Sequence, residues 1–259
     1  MRNHRDLLIY YALVHNGDWN KIYDSIKTSK DDIDWERYQT FPKSLKEKCI
    51  TIFDTDIYPP ILTHISNPPM VLFYKGNINL LKDLNKCVAI VGTREPSDLG
   101  IKATHMIVDA LPKDYTVVSG MAAGIDSVAQ LRAIEDRLKT IALSPVGIDT
   151  YYPSSSKELY YELCRNHLVL SEHPFSESIP LAAFPFRNRI IVGLAKTVFI
   201  PEAYPKSGTL ISADLALAFG RDVACVPHPF DANTANNRLI KDGAEIVENA
   251  IDVLEVLTK

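Results

Sequence analysis

Residues 88–100 read Val-Ala-Ile-Val-Gly-Thr-Arg-Glu-Pro-Ser-Asp-Leu-Gly, an apolar run, a tight turn and the start of a helix. The run is apolar on both faces, as a parallel strand covered by helices requires. Gly92 lets backbone approach a ligand closely, Ser97 is placed to cap the following helix, and Arg94 supplies positive charge in the turn. The glycines of a dinucleotide fingerprint are absent. Ser119-Gly120-Met-Ala-Ala-Gly-Ile-Asp126 repeats the design after the next apolar run, with Asp126 in the first helical turn as a cap or as a carboxylate that holds an arginine in place.

Working outward, short apolar runs at 49–53, 70–74, 87–91, 115–119, 139–143, 167–171, 197–201 and 222–226 alternate with helical patterns. The helices are expected over 99–111, 125–136, 155–166, 187–195, 207–219 and 248–258. This alternation predicts βαβ units in an α/β doubly wound, mostly parallel sheet. In such sheets ligands bind beyond the carboxyl ends of the strands, where this chain places glycine and small polar residues. The first 47 residues instead carry helical stripes (Leu7, Leu8, Tyr11; Trp19, Ile22, Tyr23, Ile26) and read as a small helical domain. The division expected is 1–47 helical and 48–259 sheet-based.

Residues 184–194, Phe-Pro-Phe-Arg-Asn-Arg-Ile-Ile-Val-Gly-Leu, put Arg187, Asn188 and Arg189 directly before an apolar run. At the first turn of a helix cations are unfavourable, so two arginines there point to an anion that completes the site. The competing reading is ion pairing with acids elsewhere in the fold. Farther on, Tyr204-Pro-Lys206-Ser207-Gly208-Thr209 opens another helix and forms a candidate oxyanion nest, without the spacing of a Walker A loop.

The 259 residues carry 28 basic and 32 acidic side chains, a net charge of −4, which argues against coating nucleic acid through overall charge. A local phosphate-binding face remains open, because 184–209 holds four cations against Glu202 alone. The four cysteines lack paired spacing and suggest a reduced, cytoplasmic protein. The apolar run 7–14 reads as an amphipathic helix rather than a leader, and no segment is long enough to span a membrane. The histidines lack metal-ligand spacing, no serine sits in a nucleophile elbow, and no cofactor is expected. The chain has many residues suited to holding phosphate and few suited to breaking bonds, so it reads as a binder and not an enzyme.

Taken in order, Gly92-Thr-Arg94-x-x-Ser97-x-x-Gly100, Ser119-Gly-x-Ala-x-Gly-Ile-Asp126, Phe184-Pro-x-Arg-Asn-Arg-Ile-Ile-x-Gly-Leu194, Ser207-Gly-Thr and Arg221 resemble the DprA/Smf family over about residues 48–250. So does Tyr58-Pro59 with Pro69-x-x-Leu72-x-Tyr-x-Gly76. The resemblance implies an extended Rossmann-like domain that binds single-stranded DNA in natural transformation, loads RecA recombinase and displaces single-strand-binding protein, as a homodimer without catalytic activity. It further implies that Arg94, Ser97, Ser119, Gly120, Arg187, Asn188, Arg189, Lys206, Ser207, Gly208 and Thr209 contact the DNA, joined by Lys157. Two departures stand out. His228 replaces a glycine after the last strand's proline, and Ala235-Asn236-Asn237-Arg238 replaces a glycine-containing segment. There Asn237 and Arg238 would have to supply side-chain contacts. The alternative is a nucleotide-derivative sensor or phosphoribohydrolase of a related fold, for which Glu202 is the only nearby acid.

Overall fold

The computed structural model describes residues 4–28, 33–177 and 180–258. The chain opens with helices α1 (His4–Val14), α2 (Trp19–Thr28), α3 (Trp35–Thr40) and α4 (Lys43–Glu47), followed by strands β1 (Cys49–Thr51) and β2 (Val71–Gly76). Then come β3 (Cys87–Ile90), α5 (Asp98–Ala110), β4 (Thr116–Ser119), α6 (Ile125–Glu135), β5 (Lys139–Leu143), α7 (Lys157–Asn166) and β6 (Leu168–Ser171). The remainder is α8 (Ala183–Leu194), β7 (Thr197–Ile200), α9 (Gly208–Ala218), β8 (Asp222–Cys225), α10 (Asn236–Lys241), β9 (Glu245–Ile246) and α11 (Ala250–Leu257). Each of the eight expected strands is present. Helices α3 and α4 fall within the stretch expected to be helical, while α10 and strand β9 are additions, both too short to leave a periodic signal.

The strands form one sheet in the order β1-β2-β6-β5-β4-β3-β7-β8-β9. The seven strands from β6 to β9 pair in parallel, while β2 joins β1 and β6 antiparallel. From β3 the chain winds toward β6, and from β7 it winds the other way toward β9. The crevice between β3 and β7 is therefore the topological switch point, where α/β sheets bind ligands.

Side-chain alternation sorts the core into two layers. Ala89, Ile141, Leu143, Leu170, Val198 and Ile200 face α8 and α9. Their neighbours Val88, Ile90, Val117 and Phe199 face α5, α6 and α11 on the other side. On that second side, Phe73 of β2 is fully buried among residues of α1 and α7, so the N-terminal helices share an apolar cluster with the sheet. Phe73→Ala is expected to cost about 3–5 kcal/mol, the usual range for emptying a phenylalanine site in a packed core. Urea unfolding reads this directly, and a loss below about 1 kcal/mol would show that the N-terminal helices do not depend on this contact.

Candidate nucleic-acid interface

The loops following β3 and β7 are tied together at the switch point. The Thr93 N–H donates to the Glu202 carbonyl at 2.9 Å, and the Glu202 carboxylate accepts from the Ser97 N–H at 2.8 Å and the Ser97 hydroxyl at 3.1 Å. Ser97 also accepts from the Gly100 N–H at 3.1 Å, which caps α5 as its position suggests. Helix α8 comes to the same edge because only Ala195 and Lys196 connect its end to the start of β7. It therefore runs antiparallel to that strand and presents its first turns at the carboxyl edge.

Here lies a cavity of about 420 Å³ lined by Arg94, Arg187, Asn188, Ser207, Thr209 and Ser212, among others. Arg187 is 7% exposed, and its Nε and Nη1 have no hydrogen-bond partner among the described residues. Burial lowers its guanidinium pKa to about 10; Asp126 opposes that shift and Arg94 adds to it, so the group remains charged at neutral pH. Asp126 is itself buried, which raises its pKa, with Arg187 pulling the other way. The Gly120 N–H donates to Asp126 Oδ2 at 3.0 Å. A Cβ at Gly120 would overlap both Arg187 Nη1 and Asp126 Oδ2, so only glycine admits the arginine at this depth.

On the cavity's other side, α9 begins at Gly208 with its free N–H groups and positive dipole end. The Ser207 hydroxyl oxygen, in the cap position, is buried and also lacks a partner among the described residues. Asn188 Nδ2 donates to Ser212 Oγ at 3.1 Å and joins α8 to α9. Arg94 is exposed at the mouth, with its guanidinium carbon 5.9 Å from the centre of the Phe184 ring.

The family model for DNA recombination-mediator protein A matches residues 48–258. The chain belongs to the DprA/Smf family. DNA processing protein DprA of Streptococcus pneumoniae is 38% identical over 221 residues, covering 85% of this chain and 75% of that protein. Protein Smf of Synechocystis is 40% identical over 199 residues, and the match spans 50% of its length. In solved structures, Streptococcus pneumoniae DprA superposes with a TM-score of 0.78 at 34% identity, covering 96% of this chain and 92% of that one. DprA of Helicobacter pylori, solved for its single-stranded DNA binding mode, gives 0.73 at 30% identity, covering 82% and 96%.

Within this DprA/Smf chain, not every residue expected at the interface faces the cavity. Arg189 is corrected outright. Its Nη1 and Nη2 donate to the two oxygens of Glu172 at 2.7 and 2.6 Å, and Nε donates to the Asn67 carbonyl at 2.8 Å. With both partners buried and its guanidinium carbon 3.7 Å from the centre of the Phe186 ring, Arg189 belongs to the core. The expected helix start moves as well. Helix α8 begins at Ala183, so Arg187 lies in the second turn, and Pro185 is accommodated in the first, where its missing N–H has no helical partner.

Ser119 is fully buried and donates its hydroxyl to the Ile90 carbonyl at 2.6 Å across the sheet. Ser97 is occupied by Glu202, the acid singled out for a hydrolase, and the acids that line the cavity are instead Glu95 and Asp126. Lys157 is exposed at the start of α7 and lies outside the cavity lining; Lys206 is exposed beside Ser207. At the altered corner, Asn237 is spent on the His228 backbone, accepting at 3.0 Å and donating at 2.7 Å. Arg238 is turned to Asp242 on an exposed face. The neighbouring Asn236 is fully buried, accepting from the Ala203 N–H and donating to the Ile200, Pro201 and Val226 carbonyls. Sequence reading missed Glu172 and Asn236. An acid directly after the buried strand β6 was the available signal for the first.

Among the described residues no helix is long and apolar enough to cross a membrane. Arg189→Ala would strand Glu172 in the core and is expected to cost about 3–5 kcal/mol, as removal of one partner from a buried pair does. Denaturant unfolding measures this, and a loss near zero would mean that the pair does not anchor α8.

Proposed function

We propose that this chain is a recombination mediator that holds single-stranded DNA by its phosphates in the cavity between α8 and α9. One observation carries the reading: the buried Arg187 guanidinium and the buried Ser207 hydroxyl line the same cavity with donors unused. Each unsatisfied buried donor costs about 1–3 kcal/mol, and a phosphate oxygen is the acceptor that suits both a guanidinium and a helix N-terminus. Arg94 at the mouth adds charge, and Asn188 fixes the spacing of the two helices. Contacts of this kind position a strand without reading its sequence.

The similarity to DprA proteins supports a wider role as well. On this reading the chain protects incoming DNA, displaces single-strand-binding protein and loads RecA during natural transformation, acting as a cytoplasmic homodimer. Light scattering should then give twice the 29.0 kDa chain mass. RecA ATPase on strands coated with single-strand-binding protein should rise when the chain is added.

The deciding experiment is fluorescence anisotropy with labelled oligothymidine and with duplex DNA at several salt concentrations. Single strands should bind more tightly, with a log–log salt slope near −0.7 for each phosphate neutralised. Arg187→Ala should weaken binding roughly tenfold or more, the equivalent of one charge-assisted hydrogen bond, while circular dichroism stays that of the parent. Ser207→Ala, a smaller change, should weaken it in the same direction. A folded Arg187→Ala chain with parental affinity across the salt series would remove the central claim.

A further inference from the structure

A second, smaller cavity of about 270 Å³ adjoins the first, and Arg94, Phe184 and Arg187 line both. Glu95 and Ala122 line both as well, and the remaining walls, which include Ala123, Pro145, Tyr152 and Pro153, are mainly apolar. Tyr152 lies in the segment between β5 and α7 and was not singled out by the sequence. It keeps 45% of its surface exposed, and its ring stands 5.1 Å from that of Phe184 at an interplanar angle of 76°. Phe184 in turn carries the Arg94 guanidinium. A large ring left half in solvent, held at a fixed angle by a second ring and beside two arginines, has the character of a stacking platform.

We propose that Tyr152, braced by Phe184, stacks on the nucleobase next to the phosphate held by Arg187, so that the two cavities take one backbone phosphate and one adjoining base. This rests on the phosphate-holding reading above and adds a base-contacting residue to it. Because the two cavities share Arg94, Phe184 and Arg187, together with Glu95 and Ala122, a strand whose phosphate sits on one side brings its neighbouring nucleoside to the other. Every base has a π-face, so the platform tolerates any sequence while rejecting a strand that lacks bases.

The test compares oligothymidine with a strand of equal length built from abasic spacers, binding each to the parent chain, Tyr152→Ala and Tyr152→Phe. The parent should prefer oligothymidine. Tyr152→Ala should lose between about 5-fold and 100-fold on oligothymidine, the span of base–aromatic stacking, and almost nothing on the abasic strand. The salt slope should not change, since no phosphate contact is removed, and Tyr152→Phe should restore the parental affinity. An unchanged affinity of Tyr152→Ala for oligothymidine overturns the stacking role alone. An equal loss on both strands also overturns it, because the effect then comes through the backbone site or the fold. Failure of the parent chain to bind either strand overturns the phosphate-holding reading together with this one.

Discussion

A guanidinium held out of water without a full set of partners is costly, and much of the carboxyl edge is organised around that cost at Arg187. Asp126 supplies a countercharge, and its own burial is compensated by the Gly120 N–H. Gly120 contributes its lack of a side chain, which is what lets the arginine lie so close to the backbone. The position of α8, on which all of this depends, is fixed two residues later by the Arg189–Glu172 pair and by the Asn67 carbonyl. One arginine is saturated and anchors the helix; the other is left short of acceptors where a ligand can reach it.

The sheet topology explains why this happens at one place. Chain winding reverses between β3 and β7, so α5 and α9 leave toward opposite faces and open a crevice between them. Glu202 bridges the two loops beneath that crevice, and Asn236 staples the loop beyond β7 to the end of β8. The family's altered corner is therefore rigid structure in this chain. His228 is buried with its ring nitrogen 3.0 Å from the Pro201 carbonyl, and Asn237 is bound to the His228 backbone. Neither group is left over for a strand.

Much of the fold was legible because buried parallel strands leave continuous apolar runs and covering helices leave a 3.6-residue period. The eight long signals all correspond to strands. The failures fall where an element is too short for a period, as with β9 and α10, or where a boundary depends on capping geometry. The start of α8 is of the second kind: proline suggests an edge, yet it fits anywhere in a first turn. Of the cavity lining, Arg94, Arg187, Asn188 and the 207–209 turn were recognisable from residue type beside a turn or helix start. Ser119 and Asn237 were misread for one shared reason, since a small polar side chain near a ligand edge looks the same whether it meets a ligand or a backbone carbonyl.

By itself the sequence determined the alternating architecture, the family and the presence of phosphate-suited residues at the carboxyl ends of the strands, because these follow from local pattern and residue type. Only the tertiary structure decided which arginine of Arg187-Asn188-Arg189 is available. Residues two apart on a helix point to nearly opposite sides, and nothing local says which side will meet Glu172 and which the cavity. Pairing across 17 residues of chain and the docking of α8 against the end of β6 make that choice.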